Sequence, residues 1–462
     1  MNDWIKHELR YLSLGDKRLD ARCAKLIASL AAHPAQSVPQ ALQTWAATKA
    51  AYRFWDNQRV HPQDIRAAHR RATIERLPPT GPLLAIQDTT TFNFSDHPAT
   101  RDLGYLSHPP HLGLWMHSVL CASSAGVPLG LLHQEMWTRP LSQLGKRKQR
   151  RHKATRDKES QRWLTGLQAT FDAVPAERAI ITVADREADF YDLFAAPRRP
   201  GLDLLIRARE RRRVRHELKL LGPALRAQPV AGTLTVTVPR KPGQPEREAR
   251  LTIRFGNFVI KPPSTHPQRR QCADLPLQAI LAEEEAPPAG CKAITWLLLT
   301  TLPIDTLAQA VQAVRWYSLR WLIERYHYTL KSGCRVEELQ LEKAERLYRA
   351  LATYGLVAWR LLWLTYEARQ RPAASCEEVL SEAQWQVLFA QVQPDQPMPS
   401  AAPTLAEAVR WIAQLGGFLA RRGDGAPGVK TLWRGWRRLE DLVQGYHLAL
   451  AQLKTPCVVG NG

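Results

Sequence analysis

Leu83-Leu84-Ala85-Ile86-Gln87-Asp88 and Ala179-Ile180-Ile181-Thr182-Val183-Ala184-Asp185 are the two stretches on which the fold turns. Each is a short, unbroken apolar run that stops at a carboxylate, and Pro78-Pro79-Thr80-Gly81-Pro82 punctuates the chain just before the first. Runs of this length, bounded by turn signals, read as buried strands. The two share one design: an interior strand with an aspartate at its C-terminal end. Between them, Gly113 to Leu132 predicts further sheet and Lys158 to Thr170 a helix, while Arg186-Glu187-Ala188-Asp189 leads into another helix. The fold class is α/β.

Outward from this core, residues 1–70 read as a helical domain, with Leu9, Leu12 and Leu14 leading into Ala21 to Ala32 and Ala41 to Arg53. Lys6, Arg10, Lys17, Arg18, Arg22 and Lys25 recur on its first two segments, a pattern that suits either docking on DNA or a solvated face. From about 230 to 262 the chain alternates in the β manner, Thr233 to Val238 and then Ala249 to Ile260, with Pro239, Pro242 and Gly243 as the turn. This predicts a β-rich insertion at about 211–300 within a domain spanning 71–370. Helical periodicity returns at Leu307 and runs to about Gln370. Gln393-Pro394-Asp395-Gln396-Pro397-Met398-Pro399 is a linker, and a basic helical tail from Thr404 falls in a third domain, 371–462.

The length of 462 residues fits two to four domains at about 100–200 residues each. Hydrophobic residues at 45% and charged residues at 23% exclude collagenous and mucin-like chains. The unusual quantity is charge. Lys plus Arg is 64 against 43 Asp plus Glu, a formal +21, which points to a polyanionic partner and most simply to nucleic acid. No apolar run approaches the length of a membrane span, and the charged start Met-Asn-Asp-Trp-Ile-Lys-His-Glu lacks the apolar region of a signal peptide, so a cytoplasmic protein is expected. Seven scattered cysteines, never in C-x-x-C, support neither a disulfide framework nor a zinc knuckle.

The chemistry concentrates in Arg315 to Lys331. Placed on one helix at about 100° per residue, Trp316, Leu319, Ile323, Tyr326 and Leu330 form a core-facing stripe. Tyr317, Arg320, Glu324 and Lys331 then fall within an arc of about 60°. Alone this is an ordinary Arg–Glu surface pair. Joined to two strand-end aspartates, it makes a third carboxylate, and three converging carboxylates need a counter-charge. Hard oxygen donors without a His/Cys cluster favour Mg²⁺ or Mn²⁺ over zinc.

Tyr317-x2-Arg320-x3-Glu324-x6-Lys331 resembles the YREK signature of the DDE transposases of bacterial insertion sequences, and the whole chain is similar to their transposon-five branch. Gln87-Asp88-Thr89-Thr90 and Asp185-Arg186-Glu187-Ala188-Asp189 resemble its two aspartate motifs. Ala51-Tyr52-Arg53-Phe54, Trp296-Leu297-Leu298-Leu299-Thr300, Leu415-Gly416-Gly417-Phe418 and Leu432-Trp433-x-Gly435-Trp436 match in order. The resemblance implies a ribonuclease-H-like catalytic core interrupted by the β insertion, between a helical N-terminal DNA-binding domain and a C-terminal helical dimerisation domain. Asp88, Asp185 and Glu324 would be the catalytic triad that holds two Mg²⁺ (or Mn²⁺) ions. Arg320, Lys331 and the Tyr317 hydroxyl would bind the cleaved strand, and Trp296 would stack on a flipped base.

The implied activity is cut-and-paste DNA transposition. Terminal inverted repeats are bound and cleaved, through a hairpin, and their 3′ ends are joined to target double-stranded DNA by a homodimer that pairs both ends. Its setting would be the bacterial nucleoid. A silent end-binding inhibitor or relic, and a stand-alone metal-dependent endonuclease, are the alternatives; retention of all three carboxylates and of the Tyr-Arg-Glu-Lys set counts against decay. Other features have bland readings beside functional ones. Lys146 to Lys153 reads as a solvated loop or a DNA contact, and Arg207, Arg209, Arg211, Arg212, Arg213 and Arg215, whose alternation suits an extended strand, as exposed or phosphate-tracking. His108, His111 and His117 lack a cysteine partner and are not taken as metal ligands. Glu187 and Asp189 suit a helix start.

Overall fold

The computed structural model describes residues 3–106, 111–145, 153–238 and 246–454. His108, Lys146 to His152, Pro239, Pro242, Gly243 and Cys457 lie outside these residues. The chain opens with five helices: α1 (Asp3–Glu8), α2 (Lys17–Ala32), α3 (Val38–Leu42), α4 (Trp45–Asp56) and α5 (Pro62–Glu75). The Asp16 carboxylate caps α2 by accepting the Arg18 N–H, and the Thr44 hydroxyl caps α4 by accepting that of Ala47. Leu19, Cys23, Leu26, Ile27 and Leu30 give α2 its buried face, which leaves Lys17, Arg18, Arg22 and Lys25 exposed.

The sheet is built from β1 (Leu83–Asn93), β2 (Gly104–Tyr105), β3 (Leu112–Ser123), β4 (Pro128–Trp137), β5 (Ile180–Ala184) and β6 (Leu202–Arg207), with α6 (Gln161–Ala173) before β5 and α7 (Tyr191–Ala195) after it. Its middle runs β4-β3-β1-β5-β6: an antiparallel trio, then two strands parallel to β1. After α8 (Leu221–Arg226) come β7 (Gly232–Val238), β8 (Arg247–Ile260), β9 (Leu275–Glu284) and β10 (Thr295–Thr300). These four pair antiparallel to one another, and β10 pairs with β6, so they prolong the same sheet.

The long helical stretch expected from Leu307 to Gln370 is interrupted. A capping box between Thr306 and Gln309 starts α9 (Leu307–Ser318), α10 (Trp321–Tyr328) runs into a π turn at Thr329–Gly333, and α11 (Ala344–Gln370) follows only after an irregular segment. At 319–320 the hydrogen bonds tighten from i−4 to i−3: the Leu319 N–H donates to the Trp316 carbonyl at 3.1 Å and that of Arg320 to Tyr317 at 3.0 Å. One face therefore does not run through 315–331. Ile323, Tyr326 and Leu330 are buried as expected, whereas Trp316 and Leu319 are only half-buried.

Helix α11 is apolar on nearly every side, because it is packed all round. It touches α2, α4 and α5 of the N-terminal region, β4 of the sheet, and α13 (Leu405–Leu415) and α14 (Val429–Lys454), which with α12 (Glu382–Val392) make the C-terminal region. The basic run after β6 also departs from expectation. The strand ends at Arg207 and the chain turns at 210–211, because the buried Asp189 carboxylate accepts the Arg209 N–H at 2.8 Å and pairs with the Arg212 guanidinium.

Candidate active site

Asp88 and Asp185 reach the same level of the sheet for a simple reason of register. β1 and β5 run parallel with Ile86 opposite Val183, and Asp88 and Asp185 each stand two residues beyond that pair. Asp185 ends its strand as the cap of a 3₁₀ turn, its carboxylate accepting the Glu187 N–H at 2.8 Å. Glu324 comes from α10, which packs on β1 and β3, and its carboxylate accepts from Arg320 Nη2 at 2.5 Å.

The three carboxylates share one electrostatic field. Burial first, and then the charge of Asp185, push Asp88 up to about 7, with a smaller push from Glu324; Arg320 and the Thr89 N–H pull the other way. Glu324 is turned onto Arg320, and among the described residues no three His, Cys, Asp or Glu side chains converge tightly enough to hold a metal ion. Hard oxygen donors with excess negative charge are nonetheless the chemistry that a divalent cation offsets.

Tyr317 departs from its expected polar arc. It is 3% exposed and packs edge-on against Trp296, with ring centroids 5.7 Å apart. Its hydroxyl is buried beside the Arg207 and Arg320 guanidiniums. Burial raises the Tyr317 pKa against the pull of the Arg320 and Arg207 charges, so these groups form one cluster. Trp296 is half-buried on β10. Lys331 lies in the π turn, 5.4 Å from the Phe92 ring on β1, with its pKa lowered by burial and Glu337 opposing.

Three further residues stand around this patch. Arg207 was one member of a basic run. Trp321 is 52% exposed, with the Arg320 guanidinium 5.5 Å from its ring centroid, and a tryptophan beside the arginine of the motif was the available signal. His327 places Nδ1 3.8 Å from an Asp88 oxygen. Burial lowers its pKa to about 3, so it is neutral there. His111 and His117 stand in different settings. His117 is buried between Thr89 and Gln87, with its pKa lowered by burial to about 3, while His111 is exposed at the start of β3. The Glu187 pKa is raised, first by partial burial and then by Asp185, and Asp189 is a buried anchor for Arg209 and Arg212.

The six described cysteines are free thiols, and no helix among the described residues is long and apolar enough to cross a membrane. Residues 1–60 match a family model described as transposase DNA-binding, residues 143–360 one described as transposase DDE domain, and residues 356–455 one described as transposase Tn5 dimerisation domain. The middle match carries with it a ribonuclease-H-like fold, dependence on divalent metal and nuclease-type chemistry, and the outer two carry a DNA partner and dimer formation. Three such matches in order along one chain, over a mixed α/β sheet with helical regions at both ends, leave one conclusion: the chain belongs to the Tn5-like DDE transposases.

Proposed function

We propose that this transposase works by cut-and-paste. Its N-terminal helical domain, 1–70, recognises terminal inverted repeats. A catalytic core at 71–370, interrupted by the β-rich insertion at about 211–300, cleaves them, and the C-terminal domain, 371–462, pairs two ends in a dimer. Asp88, Asp185 and Glu324 are its catalytic carboxylates. Together they would hold two divalent ions, Mg²⁺ or Mn²⁺, which when bound supply activation of the attacking oxygen and stabilisation of the leaving oxygen in an in-line phosphoryl transfer.

The protein's own groups do the rest. Arg320 offers a planar fork and Lys331 a point charge to the phosphates of the cleaved strand. A phosphate oxygen seated beside the buried Tyr317 hydroxyl would also meet the charges of Arg207 and Arg320. Trp296, against Tyr317, takes up a flipped base, and the exposed Trp321 ring gives a second stacking surface; such stacking is worth about 1–3 kcal/mol per base. Water frees a 3′-hydroxyl, which attacks the opposite strand to close a hairpin. Reopened, that end attacks target DNA, with no covalent protein–DNA intermediate.

The observation that carries this reading is that the parallel β1–β5 pair carries both aspartates while α10, with Glu324 on Arg320, packs against β1. Glu324→Gln is the test, on a plasmid that carries the gene with its flanking inverted repeats. It should abolish Mg²⁺-dependent nicking while end binding stays within a few-fold, and retained nicking would refute the assignment. A wild type that binds ends without nicking is a relic, and one that nicks but never joins is an endonuclease.

A further inference from the structure

Beyond the 186–189 turn lies a cavity of about 1320 Å³ ringed by Arg209, Arg211, Arg213 and Lys261. The one acid among the described residues of its wall, Asp189, is already engaged by Arg212 and by the Arg209 N–H. Arg211, Arg213 and Lys261 are exposed and have no carboxylate partner among the described residues, whereas Arg215, just outside the ring, pairs with Asp274. The backbone beneath them is fixed. Val214 bridges to Ile260, the Lys261 N–H donates to the Arg213 carbonyl at 3.0 Å, and that of Leu221 donates to Arg212 at 2.8 Å. Like charges held on a rigid frame repel one another, and a polyanion relieves that repulsion.

We propose that this basin holds the phosphodiester backbone of the target duplex during joining, an inference that rests on the transposase reading of the carboxylate patch. Joining brings a second DNA to the same carboxylates while the first end is still held. Arg320 and Lys331 stand on α10 and its π turn; the basin instead adjoins the Asp185 turn, through Asp189 and through Arg209 Nη2, which is 3.5 Å from the Arg186 carbonyl oxygen. Among the described residues its wall contains neither Asn nor Gln. Cations in that setting track phosphates, and phosphate contacts position a duplex without reading its sequence. A target of arbitrary sequence needs that kind of grip, whereas an end must be told apart from other DNA.

The test is the full-length chain carrying Arg211→Ala, Arg213→Ala and Lys261→Ala together, its fold checked by thermal melting. One arm measures binding to a labelled mixed-sequence duplex from about 50 to 300 mM salt, where three lost phosphate contacts should make the log–log slope shallower by about 2 to 3. The other uses a supercoiled plasmid with the gene and its flanking inverted repeats, and scores nicked donor separately from products joined to a second plasmid. Joining should fall by about 10-fold or more with nicking held within about two-fold, and Arg211→Lys with Arg213→Lys, leaving Lys261 in place, should retain wild-type joining. Unchanged joining, an unchanged slope, or nicking that falls in step with joining overturns the proposal. A wild type that fails to nick sinks the transposase reading instead, and the slope on the mixed duplex still reports on the basin.

Discussion

Glu8 tests how the N-terminal helices are locked to the catalytic core. It sits on α1, only 2% exposed, with one carboxylate oxygen on His69 Nδ1 and the other 2.5 Å from Arg76 Nη2. His69 Nε2 accepts the Leu131 backbone N–H at 2.9 Å, so the ring proton is on Nδ1 and points at Glu8. Arg76 also lies 4.3 Å over the Trp359 ring on α11, and Arg360, lowered by burial to about 9, stands in the field of the same carboxylate. Burial is the largest influence on Glu8 and pushes its pKa up, but His69, Arg76 and Arg360 together hold it below the ordinary value of 4.5.

Glu8→Ala removes the anion and strands a buried guanidinium and a ring N–H. Breaking a buried pair on one side costs about 3–5 kcal/mol, much of it the penalty of the charge left behind. Glu8→Gln keeps the shape and one acceptor and should cost less, about 1–3 kcal/mol. The pH dependence has a definite sign. Since the folded pKa lies below the unfolded one, the contribution is complete above about pH 4.5 and is lost as pH falls through the folded value. Urea melts of wild type and both variants, from neutral pH down through the carboxylate range, measure both effects. A cost for Glu8→Ala under about 1 kcal/mol, or wild-type and variant profiles that stay parallel below pH 4.5, would refute the reasoning.

Further consequences can be checked separately. Burial first, then Asp441, raises the Glu440 carboxyl to about 7 against the Gln384 amide 2.6 Å away; its stability contribution is therefore full below about pH 4.5 and lost as pH rises through 7, and Glu440→Gln should remove this pH-dependent leg, about 3 kcal/mol, in thermal melts. A Cβ on Gly435 would lie 1.6 Å from the Ile412 carbonyl oxygen, so Gly435→Ala must push α14 off α13 and should weaken the dimer in light scattering before it affects the sheet core. Arg320→Lys keeps a cation but loses the planar fork and should lower nicking by about 10-fold, with Arg320→Ala lower still; equal rates for wild type and the lysine variant would mean that the fork is not used.

Much of this architecture could be read from the sequence because local and tertiary preferences agree. The runs at Leu83 and Ile180 are strands whatever surrounds them, and Thr306 and Thr404 announce their helices by capping boxes with Gln309 and Glu407. The misses arise where tertiary pairing overrides local preference. Leu275 to Glu284, inside the expected β-rich insertion but not singled out as a strand, becomes β9 because β8 and β10 bond to both of its edges. The arginines after β6 alternate like a strand, but Asp189 folds them into a turn, and nothing in the spacing of 209 to 215 signals a carboxylate twenty residues earlier in the chain.

The Tyr-Arg-Glu-Lys spacing gives the clearest case of a pattern recognised for one reason and obeyed for another. On a single helix, Tyr317 and Glu324 are seven residues apart, within about 20° of each other, and would be buried or exposed together. In the fold they are not: Tyr317 is 3% exposed and the Glu324 side chain 34%. The tightened step at 319–320 separates them onto two helices, so the phenol enters the core beside Trp296 and Arg207 while the carboxylate remains at the surface of the aspartate patch. The π turn then adds slack after α10 and sets Lys331 over Phe92 on β1. The motif is thus a rule about two helices and the bends that bound them. On the proposed reading of these four residues, local changes at Leu319 or in Thr329–Gly333 should disturb the site as surely as changes to the residues themselves, since they set which face each of them presents.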